Sequence, residues 1–331
     1  MKVLAIRFSS MGDVALMAAA AKCWLQLQTN AKLIVCSRPH FEPLFSSLER
    51  CEFIGADVKK HYKGLVGMKI LADHLAREYD FDHVADLHDV IRSRVLCTFL
   101  RFKGYTISRI NKERSQKRRL TRQNNKVLKP LKHTVQRYLD ALPGEVLWAD
   151  DTLPIYNQPA GKRTGHRRTI GIAPYAKHQT KQWPESKMSE LVDRLTNNNI
   201  KCLIFGSYDE RRHFKSLFYN NSLVDIIPDN TRLEDEIYII KTLDAFVAMD
   251  SFNMHLAALY GVPVVSIWGP THPYAGFGPL GRSEQRIVQI DLECRPCSIY
   301  GNKPCFRGDH ACMVGISVER VYKEVMSCLE Q

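Results

Sequence analysis

Asp244–Thr271 reads DAFVAMDSFNMHLAALYGVPVVSIWGPT. An apolar run, Asp244–Met249, ends on Asp250 and Ser251. A helical pattern follows from Asn253 to Tyr260, and Gly261 stops it. A second apolar run, Val262–Trp268, ends on Gly269-Pro270-Thr271. This is strand, polar turn, short helix, strand, a βαβ unit. Its polar residues gather where a strand ends and a helix begins. In open α/β sheets ligands bind there, and the unpaired N–H groups of a helix N-terminus suit a phosphate. His255 follows Ser251 by one helical turn, so the two share a face.

The same alternation extends in both directions. Lys2–Phe8, Lys32–Cys36, Glu52–Ile54, His83–Leu87 and Tyr105–Ile107 read as strands, with helices at Asp13–Leu27, Gly67–Glu78, Ser93–Arg101 and around Thr134–Ala141. From Pro143 to Arg168 the pattern breaks into a polar segment punctuated by proline and glycine, read as a linker. Strands then recur at Thr169–Ala173, Lys201–Phe205 and Leu223–Ile227, with helices at Ser186–Thr196, Glu210–Phe218, Leu233–Thr242 and Val318–Leu329. The expected fold is α/β, two domains joined by one linker with a cleft between the carboxyl edges of their parallel sheets.

A chain of 331 residues, 45% hydrophobic and 25% charged, has the composition of a globular protein large enough for two domains. It contains no apolar stretch of membrane-spanning length. The start, MKVLAIRFSSMGD, reads as a first strand rather than a signal peptide. The expected location is the cytoplasm. The net charge is +12, and Arg109–Lys132 holds ten Lys or Arg against one acid, Glu113. Such a run is a solvated basic face or a contact for an anionic partner. Without interleaved aromatics or a recognition module, nucleic acid is not the expected partner.

Six of the ten cysteines are scattered in apolar contexts as core fillers. Cys294, Cys297, Cys305 and Cys312 are spaced C-x2-C-x7-C-x6-C with His310 nearby. Four thiolates can hold zinc, but these spacings depart from a zinc ribbon. No metal is assigned, and the four stand as candidate ligands only. Asp80-Phe81-Asp82 reads as a turn rather than a metal-binding D-x-D.

Three strand-to-helix junctions carry candidate chemistry. Ser9-Ser10-Met11-Gly12-Asp13 has a glycine permitting close approach and an acid that, from the residues alone, is a first-turn acid. Lys177-His178-Gln179-Thr180-Lys181-Gln182-Trp183-Pro184 presents lysines near a helix start, either an exposed basic loop or a diphosphate site. Gly206-Ser207-Tyr208-Asp209-Glu210 places an acid past a strand end, where it is either a helix-start acid or a ribose acceptor. No GxGxxG is present, which argues against a dinucleotide enzyme.

Taken together, RFSSMGDV (Arg7–Val14), DLHDVIRSRVL (Asp86–Leu96), HTVQRYLDAL (His133–Leu142), Lys181 before Trp183-Pro184, GSYDE (Gly206–Glu210), MDSFNMHLAALYGVPVVSIWGPT and the CRPC segment resemble glycosyltransferase family 9, the lipopolysaccharide heptosyltransferase group. The resemblance implies a GT-B fold, two Rossmann-like domains facing a central cleft, with residues 1–155 binding acceptor, 156–316 binding nucleotide sugar, and 317–331 as a helix crossing back to the first domain. It implies metal-independent, inverting transfer of heptose from ADP-heptose to the lipopolysaccharide inner core, with no cofactor. Asp13 matches the general base and Lys181 the lysine that stabilises the departing diphosphate. Gly12, Thr180, Glu210, Asp250, Ser251, Phe252, Asn253 and His255 fall at donor positions. Ser10, Arg92, Arg94, Arg118, Arg119 and Arg122 are the expected contacts of an anionic glycolipid acceptor at the inner membrane surface. The family usually has glycine where this chain has Phe252. Two rival readings are a GT-B enzyme with another nucleotide sugar or glycan acceptor and a non-catalytic anion-binding protein.

Overall fold

The computed structural model describes residues 1–148, 167–281 and 285–330. Most of the expected linker, including Asp150-Asp151, Pro154, Pro159, Gly161 and Gly165, lies outside them. The chain divides into two compact units. The first holds Met1–Lys112 and the segment beginning at His133. The second holds Glu113–Lys132 and the described residues from 167 onward.

The first unit has five parallel strands, β1 (Lys2–Ile6), β2 (Lys32–Ser37), β3 (Cys51–Gly55), β4 (His83–Asp86) and β5 (Thr106–Arg109), in the order β3-β2-β1-β4-β5. Register aligns Leu4 with Ile34 on one side and with Val84 on the other. Its helices are α1 (Met11–Leu27), α2 (Gly64–Glu78), α3 (Ile91–Phe102) and, after the segment that joins the other unit, α5 (Thr134–Leu139). Alanines 15 and 18–21 of α1 are buried, so the helix is apolar nearly all round and lies within the unit. Leu4, Ile6, Ile34, Val84, Leu71, Leu75, Leu96 and Leu100 form a core between sheet and helices.

The second unit has six parallel strands, β6 (Thr169–Ala173), β7 (Lys201–Ile204), β8 (Val224–Ile226), β9 (Ala245–Met249), β10 (Val264–Ile267) and β11 (Gln285–Val288), in the order β11-β10-β9-β6-β7-β8. Its helices are α4 (Arg114–Leu120), α6 (Glu185–Asn197), α7 (Tyr208–Ser216), α8 (Leu233–Ile240), α9 (Phe252–Leu259), α10 (Ala311–Val314) and α11 (Val318–Leu329).

Two placements differ from the sequence reading. The basic run, expected within residues 1–155 of the first domain, belongs from Glu113 to Lys132 with the second unit. Lys117, 7% exposed, sits over the Phe277 ring at 4.5 Å. Leu131 N–H donates to Tyr274 O at 2.9 Å, and Lys126 Nζ to Glu293 O at 3.0 Å. The final helix, expected to cross back, buries Val321, Val325 and Cys328 in the core of the second unit and packs on α6, β9, β10 and β11. The amphipathic period of α11 foretold a buried face but not which core would receive it.

Both sheets reverse their winding direction once, between β1 and β4 in the first and between β6 and β9 in the second. Such switch points leave a crevice at the carboxyl ends of the strands, where α/β sheets take ligands. The sequence-derived candidate junctions after β1, β6 and β9 lie at these two places.

Candidate active site

The half-site of the first unit is built on β1 and β4. After β1 the chain enters α1 through Ser10, its N-cap. Asp13 sits in the first turn. Its Oδ2 accepts from Ser10 Oγ at 2.5 Å and from Ser10 N at 3.3 Å, and pairs with Arg7 Nη2 at 2.9 Å. Asp13 is therefore a first-turn acid as local structure, closing a capping box with Ser10. The Arg7 pair adds what a plain cap lacks. Arg7 is 5% exposed, donates Nη1 to Leu87 O at 2.5 Å, and stacks on the Tyr138 ring at 5.4 Å. Tyr138 Oη donates to Asp13 O at 3.3 Å. One side of Asp13 is thus fixed by charge, ring and hydroxyl.

After β4, buried Asp86 accepts the N–H groups of His88 and Asp89 and pairs with Arg109 at 3.1 Å. Asp89 pairs with Arg94 at 2.7 Å. The Phe8 amide donates to His88 Nδ1 at 3.4 Å, which puts the imidazole proton on Nε2, 3.3 Å from Ser9 Oγ. Burial, with Arg7 and Lys112 nearby, pushes His88 down to about 3, so it is neutral at physiological pH. Sequence reasoning noted His88 as a polar strand end and overlooked Arg7 and Tyr138. Their positions inside RFSSMGDV and HTVQRYLDAL were the available signal. Of the expected acceptor residues, Ser10 and Arg94 are engaged here and Arg92 is half-buried on α3. Arg118, Arg119 and Arg122 are exposed on and just after α4, in the other unit.

The half-site of the second unit spans β6, β7 and β9. The loop after β6 ends in one 3-10 turn, Gln179–Lys181. Lys181 Nζ donates to Asp250 O and pairs with Asp250 Oδ2 at 3.2 Å, bridging the switch point. Both side chains are 12% exposed. An ammonium has three donors, so one remains after the two contacts with Asp250. Thr180 Oγ1 donates to Gly301 O. Gly301 has φ +73°, and a Cβ there would come within 2.3 Å of Lys181 Cγ. The loop therefore needs glycine for conformation and for the lysine's path.

Ser251 is the N-cap of α9, yet its Oγ is buried with no hydrogen-bond partner, and so is Thr271 Oγ1 beyond β10. Buried hydroxyls without partners are costly and call for explanation. Ser251, at the N-cap, stands beside the free N–H groups that open α9, an end suited to an anion. Asn253 Nδ2 donates to Glu236 Oε1 at 3.1 Å, and burial raises the Glu236 carboxyl. His255 is buried on the next turn, while Phe252 is only half-buried. Glu210 is again a capping acid, its Oε2 accepting Ser207 N at 2.8 Å and Ser207 Oγ at 2.7 Å. Both bonds fall on one oxygen, leaving Oε1 for a ligand. Gly12, expected from sequence among the donor residues, lies on α1 of the first unit.

Cys294, Cys297, Cys305 and Cys312 line one pocket together with Thr180, Lys303 and His310. Among the described residues no group of three or more His, Cys, Asp or Glu is arranged to hold a metal ion. Buried Arg295 braces the strand-to-loop joint, donating to Thr271 O at 3.1 Å, Gln289 Oε1 at 2.9 Å, Gly269 O and Ile290 O.

The lipooligosaccharide heptosyltransferase 2 of Campylobacter jejuni is 26% identical over 211 residues, covering 60% of this chain and 64% of that protein, just under two thirds of its length. Two solved structures share the fold over nearly their whole lengths. They are the Escherichia coli ADP-heptose lipopolysaccharide heptosyltransferase II (TM-score 0.71, 20% identity, 100% of this chain and 99% of that one) and E. coli heptosyltransferase WaaC with ADP (0.72, 19%, 99% and 100%). The family model of glycosyltransferase family 9 (heptosyltransferase) matches residues 71–304. With two parallel α/β units of GT-B type and its junction residues at both switch points, the chain belongs to glycosyltransferase family 9.

Proposed function

We propose that the protein is an inverting glycosyltransferase that moves heptose from ADP-heptose to the lipopolysaccharide inner core, working at the inner membrane surface. The observation that carries this reading is the second unit's switch point, where Lys181 is held on Asp250 beside the unpartnered Ser251 hydroxyl at the opening of α9, a grouping suited to a leaving diphosphate. The names of the relatives and the ADP in one related structure supply the donor class.

The steps divide between the units. Asp13, oriented by Arg7 and Ser10, takes the proton from the acceptor hydroxyl as that oxygen attacks the anomeric carbon. The bond from that carbon to the diphosphate breaks on the opposite side, inverting the centre. Lys181 and the N–H groups opening α9 hold the charge released, a role in which a single preorganised donor is worth about 3 kcal/mol. In this reading they make a metal unnecessary. Glu210 Oε1 accepts from the ribose hydroxyls. Phe252 favours a second reading, the same chemistry with another nucleotide sugar, because a half-buried ring stands at the opening of α9 where the family resemblance leads one to expect glycine.

Thermal stability against ADP, UDP, GDP and ADP-heptose separates these readings, since a ligand of the native state raises the melting temperature by mass action. Stabilisation by ADP and ADP-heptose, lost in Lys181→Ala and Glu210→Ala, supports the first reading. A response to UDP or GDP instead moves the donor. Silence toward every nucleotide leaves an anion-binding protein.

A further inference from the structure

The start of α2 carries an exposed surface that mixes lysines with aliphatic side chains. From residue 59 to residue 70 the chain reads KKHYKGLVGMKI, with four lysines and no acid. Lys59, Lys60, Lys63 and Lys69 are all exposed. Leu65, Val66 and Ile70 stand among them, exposed by 64%, 71% and 49%. On the helix, Leu65 and Lys69, and Val66 and Ile70, are successive-turn neighbours on the outer side, while Gly67, Met68 and Leu71 face inward. The turn that carries the lysines is fixed. Asp57 Oδ1 accepts from Lys59 N and Lys60 N at 3.1 and 3.0 Å, and Tyr62 N–H donates to Asp57 O at 2.9 Å. Gly67 lies so close to the Tyr62 backbone that a Cβ would come within 2.3 Å of it. Lys69 shares Asp73 with Lys103. Among the described residues no ion pair engages Lys59, Lys60 or Lys63.

We propose that this surface docks on an anionic lipid bilayer, with Leu65, Val66 and Ile70 entering the headgroup boundary and the four lysines on lipid phosphates. The chemistry selects this occupant. Protein interfaces favour Tyr, Trp and Arg and avoid Lys, and none of those three except half-buried Tyr62 is here. Single-stranded nucleic acid needs exposed aromatic platforms. Protruding aliphatic side chains ringed by lysine suit an interface that is apolar below and anionic above, with long stems letting each ammonium remain at headgroup level. The inference locates the membrane contact of the peripheral enzyme proposed above, and it places that contact on α2 rather than on the basic run of residues 113–132.

The test is flotation of the full chain with phosphatidylcholine vesicles, with and without phosphatidylglycerol. The intact protein is expected to float with the anionic vesicles only, and less so at high salt. Combined Leu65→Ser, Val66→Ser and Ile70→Ser is expected to lower partition at least about tenfold. Combined Lys59→Gln, Lys60→Gln, Lys63→Gln and Lys69→Gln is expected to do so at least as strongly, at about fivefold per lysine. All seven side chains are exposed, and an unchanged melting temperature shows that the variants fold. Equal binding to both vesicle types overturns the proposal. So does wild-type partition in either variant, or loss of binding in an Arg118→Gln, Arg119→Gln, Arg122→Gln protein while the α2 variants still bind. Flotation needs no nucleotide, so failure of the donor reading would show separately, in the ADP response.

Discussion

Asp13 is a helix cap and, in the proposed reaction, a base. Arg7 and Tyr138 distinguish the two roles, because a cap needs neither. Asp13→Asn keeps an acceptor for Ser10 but removes the proton acceptor. It is expected to lower kcat about 10²- to 10⁴-fold while leaving the ADP-induced rise in melting temperature intact, since the proposed nucleotide contacts lie in the other unit. Arg7→Gln should act in the same direction and less strongly; an unchanged kcat in both would remove Asp13 from the chemistry. His88 yields a second prediction. Its folded value of about 3 lies below the unfolded value of about 6.5. Between those limits the unfolded chain binds a proton that the folded chain refuses, so stability falls as pH falls through that window. From pH 7 to pH 5 this imidazole alone removes about 2 kcal/mol. Urea titrations at both pH values should show a smaller loss in His88→Gln. These contacts were only partly legible in the sequence. The acids and lysines stood at recognisable junctions, whereas the pairing of Arg7 with a ring on residue 138 depends on the return of the chain as α5.

At the scale of elements, the strand-turn-helix-strand reading of Asp244–Thr271 matches β9, α9 and β10 within two residues, because burial on both faces made continuous apolar runs and Gly261 ended the helix. The reading missed α4, a seven-residue helix of charged residues without apolar period, and β11, a half-buried edge strand. The Gly301 loop was likewise invisible as a support, although it shapes the path of Lys181. Gly301→Ala meets both a left-handed backbone, costing about 1–2 kcal/mol, and the Lys181 side chain. Gly308→Ala meets the same kind of backbone, φ +79°, with nothing within 4 Å. Both variants should lose melting temperature, but only Gly301→Ala should also lose ADP affinity, by about tenfold or more. Calorimetric titration with ADP reads that difference, and equal affinities would detach the loop from the nucleotide site.

At the scale of the whole molecule, two α/β halves were legible from the break after Pro143, but the allegiance of the basic run was not. Composition marks Glu113–Lys132 as solvated. Among its contacts with the second unit is one lysine among aromatic rings far along the chain, with Lys117 over Phe277 at 4.5 Å and Tyr300 at 5.9 Å. A desolvated contact of this kind is worth about 2 kcal/mol, and the backbone bond at Leu131 adds to it. Phe277→Leu keeps the apolar bulk and every tryptic site but removes the ring face. If the cation-ring contact holds the segment, its local opening should rise at least about tenfold. Trypsin cleavage at Arg118, Arg119 and Arg122 should rise in proportion, because cutting follows the open population when closing is fast. Global melting should change little. A cleavage rate equal to wild type would mean that the segment is held through Lys126 and Leu131 instead, and that the burial of Lys117 is a consequence of docking rather than its cause.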